Sequence, residues 1–187
     1  MKKYGLYLIM IAVALLFSTS CGDDDEDNSQ EIWMAANQSA FNAIKTNSEY
    51  KELKSPGNEG SIYYKVLKEG DGNETIYYTS TVQCFYKGWF IADHPNLSFK
   101  KNQVFDKALY DDGPPSTFSV SDPTLRKGWT TALQHMVKGD KWEVWIPYQL
   151  AYGREDLKDN SGNITLPGYS TLVFEIEIVS IKGIDDK

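Results

Sequence analysis

The chain is poor in the groups on which most chemistry is built. Its 187 residues include two cysteines and two histidines. Beyond Cys21 the only cysteine is Cys84, so no intramolecular disulfide can staple the domain. A catalytic thiol wants a base beside it. Val82 and Phe85 offer Cys84 none and read instead as a strand carrying a buried thiol. His94 falls in a polar loop and His135 on the polar side of a helix, without the paired-His or Cys spacing of a zinc site. No glycine-rich phosphate loop joins a strand to a helix, and no serine elbow stands near a histidine. We therefore expect neither a metal nor a cofactor. Basic residues are also in deficit, 19 Lys and Arg against 26 Asp and Glu for a net charge of −7, which argues against a nucleic-acid partner. There are no internal repeats.

Aromatic residues, by contrast, are abundant: 12 Tyr, 8 Phe and 5 Trp. With 41% apolar residues, the composition suits a β-rich domain with a real core and an aromatic-lined cleft. Residues 1–20 read as a secretory signal: Lys2 and Lys3, then the apolar stretch Leu6 to Phe17, then Ser18-Thr19-Ser20 ahead of Cys21. This arrangement resembles a bacterial lipoprotein, in which Cys21 is lipidated and becomes the mature N-terminus. Ser18 departs from that motif, which prefers leucine there. Residues 21–28 form an acidic tether around Asp23-Asp24-Asp25-Glu26-Asp27, since a run of like charge stays extended. The tether also resembles the acidic export signal of Bacteroidetes surface lipoproteins, and both readings stand. The expectation is an outer-membrane lipoprotein of the cell envelope, held by its lipid and facing either the periplasm or the cell surface.

Residues 29–59 read as a helical lead-in, with Ile32, Ala36, Ala40 and Ile44 at roughly helical spacing and Ser55-Pro56-Gly57 as its end. We expect it to pack beside the domain or to act as a spacer. The domain itself is placed at 60–183, followed by a tail at 184–187. Ser61 to Lys68 alternates as a strand, and Glu69-Gly70-Asp71-Gly72 reads as a turn. Ile76 to Trp89 is a second β region, in which Val82, Cys84 and Tyr86 share a face. Residues 90–103 look like an insertion that covers or flanks a cleft or, more commonly for such a stretch, loops into solvent. Thr117 to Val120 reads as a short strand, and 154–165 as a polar loop. Ser170 to Ile181 alternates cleanly, with Leu172, Phe174, Ile176 and Ile178 inward and Glu175 and Glu177 outward.

The organising stretch is Lys127 to Gly153. Trp129, Ala132, Leu133 and Met136 carry a helical apolar stripe, with Gly139 expected as a left-handed cap. Trp142, Val144 and Ile146 then alternate with Lys141, Glu143 and Trp145 as a half-buried strand, ended by Pro147. Many short strands and one helix past the middle predict an α+β domain.

Three motifs in register, Gly128-Trp129, Met136-Val137-Lys138-Gly139 and Ala151-Tyr152-Gly153, resemble the signature of FKBP-type peptidyl-prolyl cis-trans isomerases. Tyr86-Lys87-Gly88 and Phe105-Asp106 resemble further pieces of it. The resemblance covers about residues 60 to 183. It implies a curved antiparallel sheet wrapped around one helix, an isomerase acting on proline-containing polypeptides, and a pocket that also takes macrolide ligands. It implies Trp129 as the pocket floor, with Tyr86, Phe105 and Phe174 as walls. Tyr152 would donate its hydroxyl to a substrate carbonyl, and Asp106 would orient polar groups at the rim. Leu166 would lie on a flap. Leu125 and Arg126 would occupy the place of a Val-Ile pair whose second residue donates its backbone N–H to the ligand. Two positions depart from the pattern: Arg126 brings a charge, and Ser116 stands where many relatives have another aromatic wall. A non-catalytic peptide-binding module is therefore the rival reading. A glycan-binding surface using Trp89 and Trp145 is a third.

Overall fold

The computed structural model describes residues 28–182. The signal segment, Cys21, nearly all of the tether, and the tail lie outside them. Helix α1 covers Ser29–Lys45. Strands β1 (Lys51–Lys54), β2 (Ser61–Lys68), β3 (Thr81–Phe90), β4 (Val104–Ala108) and β5 (Ser116–Ser119) come next, and then helix α2 (Lys127–Leu133). Strand β6 (Lys141–Ile146), the small hairpin β7 (Leu157–Lys158) and β8 (Ile164–Leu166), and the long β9 (Leu172–Lys182) complete the order. The main sheet has seven strands in the order β1-β2-β6-β9-β3-β4, with β5 also paired to β3. Every pairing is antiparallel. The expected α+β architecture, a curved sheet around one helix, is what forms.

Period-two patterning builds the sheet. In β6, Trp142, Val144 and Ile146 are buried while Lys141, Glu143 and Trp145 are half-buried. In β9, Phe174, Ile176 and Ile178 face the core, and Glu175 and Glu177 take the other side. Fully burying one such aliphatic side chain contributes about 1.5–3 kcal/mol. Helix α2 lies against this face, so close that a Cβ on Gly128 would come 2.3 Å from Ile146 Cγ2. Only glycine lets the first helical turn settle onto β6 and carry Trp129 with it.

Four local expectations are corrected. Helix α2 has seven residues and stops at Leu133, so Met136 reaches the core from the following turn. The cause is competition for the backbone. Val137 N–H donates to Asp140 Oδ2 at 2.8 Å, and Gly139 N–H donates to Ile178 O at 2.9 Å. Gly139, at φ +88°, belongs to the turn into β6 rather than to a helix cap. The helical lead-in ends at Lys45, and Lys51–Lys54 is instead an edge strand paired with β2. The second β region begins at Thr81, not at Ile76.

The fourth concerns residues 90–103, none of which lines the cleft and which bury Phe90, Ile91, His94 and Phe99 while their other polar side chains face solvent. They fold back onto α1. Phe99 and His94 are buried, and the His94 ring lies 5.1 Å from Trp33. Helix α1 is correspondingly docked. Trp33 is buried and donates from Nε1 to Gly168 O at 3.0 Å, while Asn37 Oδ1 accepts Thr171 N–H at 2.9 Å. Cys84 is a fully buried thiol in β3, and burial pushes its pKa up to about 12.

Candidate active site

Trp129 sits in the first turn of α2 and is 4% exposed, the remaining sliver opening onto a cleft of about 140 Å³. Three rings hold the indole. Tyr86 from β3 meets it edge-on at 5.2 Å, Phe174 from β9 edge-on at 5.2 Å, and Phe118 from β5 tilted at 5.3 Å. Such aromatic contacts each add about 0.5–1.5 kcal/mol beyond area burial, so the floor is rigid. Gly88 lets Phe174 lie flat on β3, since a Cβ there would come 2.5 Å from the Phe174 ring.

The rim is polar. Tyr86 Oη donates to Asp106 Oδ2 at 3.0 Å. Burial first, and then the charge and hydrogen bond of Asp106, raise the Tyr86 pKa well above the ordinary tyrosine value. The phenol therefore stays protonated and keeps its hydrogen bond to Asp106. Tyr152 borders the opposite side, and the Arg126 guanidinium lies over its ring at 4.5 Å. Arg126 Nε is buried with no hydrogen-bond partner among the described residues. The residue caps α2 in extended conformation, its carbonyl accepting Trp129 N–H and Thr130 N–H. Leu125 lies beside it on the same wall.

The structure thus brings together Tyr86, Asp106, Leu125, Arg126, Trp129, Tyr152 and Phe174. Two expected residues are not brought to the cleft. Phe105 stands one ring back, edge-on to Phe174 at 5.6 Å and 5.1 Å from Phe90. Leu166 is buried in the core, paired with Leu157 across the β7–β8 hairpin. One wall residue escaped the sequence reading: Phe118 supplies the aromatic ring that Ser116 lacks. The expected strand at 117–120 held the clue, because Phe118 is its one large side chain. Among the described residues no cluster of three or more metal-ligating side chains forms. Trp89 and Trp145 are half-buried and already engaged, Trp89 by Lys87 at 5.5 Å and Trp145 through a 2.8 Å bond from Nε1 to Glu143.

A sheet packed around one short helix, with a ring-sized hollow at the helix start floored by Trp129 and rimmed by polar side chains, defines a domain able to hold a small ring. Residues 72–179 match the family described as FKBP-type peptidyl-prolyl cis-trans isomerase. The chain belongs to that family. It is 44% identical over 89 residues to a macrophage infectivity potentiator of Trypanosoma cruzi, covering 48% of this chain and 41% of that protein. It is 38% identical over 123 residues to FK506-binding protein 1A of Neurospora crassa, covering 66% and 90%. Among solved structures, a peptidyl-prolyl cis-trans isomerase from Pseudomonas syringae superposes with a TM-score of 0.62 at 27% identity, covering 82% of this chain and 96% of that one. Of several other curated relatives the chain spans only about half the length.

Proposed function

We propose that the protein accelerates cis–trans isomerisation of X-Pro bonds in exported polypeptides, with Cys21 lipidated to hold it at the outer membrane. The reaction needs no nucleophile. Its obstacle is amide resonance, a barrier of about 18–20 kcal/mol. At the twisted transition state that resonance is lost and the amide becomes less dipolar. A water-poor aromatic hollow favours the twisted form over the planar one, and differential stabilisation is all that catalysis requires. The observation that carries this reading is the indole of Trp129 at the bottom of a cleft framed by Tyr86, Phe118 and Phe174.

In this reading the proline ring rests on Trp129. Tyr152 and the backbone N–H of Arg126 donate to the substrate carbonyls, and the neutral Tyr86 keeps Asp106 oriented at the rim. A proline-peptide isomerisation assay on the full-length protein tests it. The wild type should shorten the slow phase, and Tyr152→Phe combined with Asp106→Val should cost about tenfold or more in kcat/KM. An unaccelerated slow phase would refute turnover.

The rival reading, a peptide-binding module without turnover, draws support from Arg126, whose guanidinium lies over the Tyr152 ring and adds a charge beside the cleft. Titration with a macrolide ligand separates the two, since binding without turnover favours the module. The envelope assignment rests on the segment ending at Cys21 and on the acidic run behind it. Labelling with a radioactive fatty acid, lost in Cys21→Ala, tests the anchor. Protease shaving of intact cells tells the surface from the periplasm.

A further inference from the structure

Beside the cleft lies a second hollow of about 590 Å³. The two share Asp122 and Leu125, so one continuous surface runs from the Trp129 floor over a low ridge into the larger space. Beyond the ridge the walls are mainly apolar, from Pro56, Tyr78, Val120 and Pro123. Tyr78 is 55% exposed, a large ring left facing water. We propose that this groove is a second substrate subsite, taking an aliphatic or aromatic side chain that flanks the proline in the same polypeptide. The proposal rests on the isomerase reading for the identity of the occupant.

Size is the first argument. Ligand sites run about 300–1,000 Å³. The cleft, at about 140 Å³, holds a ring and little more, and the groove supplies the missing volume. Continuity is the second: a chain crossing the cleft past Leu125 has the groove directly in its path. The ridge is the third, because it is built in advance. Thr124 donates to Asp122 Oδ1 from both its N–H at 2.8 Å and its hydroxyl at 2.7 Å, and Leu125 N–H closes the turn on Asp122 O at 3.0 Å. Little ordering is needed when a chain crosses it, which preserves affinity. Charge is the fourth. Among the groove's lining residues Glu59 and Lys127 pair with each other, and the Asp122 carboxylate, held by Thr124, keeps its charge on the ridge itself rather than on the wall beyond it. The wall therefore selects for apolar bulk rather than for a charge.

The test uses the full-length protein in detergent and a set of fluorescent peptides. Each has one proline in a serine and glycine background, with a single phenylalanine moved through successive positions on either side. Affinity is read by anisotropy and turnover in parallel. At one spacing the phenylalanine should tighten binding about fivefold over the plain peptide. That gain should vanish in Tyr78→Ser and in Gln134→Lys, which puts a charge on the groove wall that Gln134 lines, while the plain peptide behaves alike with wild type and variants. A gain at no spacing, or one that survives in both variants, overturns the proposal. Gain without turnover leaves the groove standing and removes the isomerase; turnover without gain does the reverse.

Discussion

On β9, Phe174, Ile176 and Ile178 turn toward α2, while Glu175 and Glu177 turn away toward Lys141, Lys87 and Lys68. The same eleven-residue strand thus builds two unlike surfaces. On the helix side every ring and aliphatic chain loses its water, and packing sets both the stability and the shape of the cleft. On the outer side the charges keep much of theirs. Lys141 Nζ lies 2.7 Å from Glu175 and 3.7 Å from Glu177, and Lys87 Nζ lies 3.3 Å from Glu175. Partly exposed pairs of this kind contribute about 0–1 kcal/mol. A buried aliphatic chain contributes several times more. The helix side should therefore resist change steeply and the outer side gently.

The hardest test of that difference is Ile176→Ala. Ile176 is fully buried between Tyr86 of β3 and Trp142 of β6 in the ladder. Removing its outer carbons should cost about 2–5 kcal/mol of unfolding free energy, read from urea midpoints at constant slope. A cost under about 1 kcal/mol would mean that the core rearranges to fill the gap, and the contrast between the faces would fail.

Next in size is Trp129→Leu, which separates fold from site on the helix side itself. Leucine keeps an apolar residue at the start of α2 but removes the broad floor and its three ring contacts. Isomerisation should fall about thirtyfold, roughly 2 kcal/mol of transition-state stabilisation, most of it in kcat. Macrolide binding should weaken in parallel. If turnover survives, the cleft floor is not where the proline sits, and the indole is core and nothing more.

How far the sequence announced this molecule depends on the range over which each signal acts. Strand β9 and the α2–β6 unit were legible because their periodicity is local. So were Trp129, Tyr86, Asp106 and Tyr152, which fall in short motifs. Strand β1 was hidden: Lys51–Lys54 has one apolar residue, Leu53, and it is held as a strand by its ladder to β2. The docking of α1 stood as one of two readings, beside that of a spacer, and its partners were hidden for another reason. Trp33 bonds to Gly168, 135 residues away, and no window along the chain contains both. Leu166 went astray through the same gap, since motif spacing gives its position in the chain but not its direction. The β7–β8 hairpin turns that side chain into the core. Phe118 was missed although its alternation was visible, because the family pattern puts the aromatic wall two residues earlier, at Ser116.

The smallest expected effect belongs to the outer side, and its sign can be worked out. Burial pushes the Glu175 pKa up, but Lys141 and then Lys87 outweigh it and hold the carboxyl below its ordinary 4.5. The hydrogen bond to Glu175 raises Lys141 above its ordinary 10.5 against a smaller pull from burial. A lowered carboxyl pKa stabilises the fold above the ordinary value and ceases to do so as pH falls through the lowered one. A raised lysine pKa does the opposite, its contribution fading as pH climbs through the raised value. The pair is therefore complete from about pH 5 to about pH 10. Glu175→Gln should cost about 0.5–1 kcal/mol at pH 7, less in 1 M salt, and the wild-type and variant urea midpoints should converge as the solution is acidified below the ordinary carboxylate range. A penalty above about 2 kcal/mol that persists in acid would show Glu175 working through packing, as Ile176 does on the other side, and the two faces of β9 would then obey one rule rather than two.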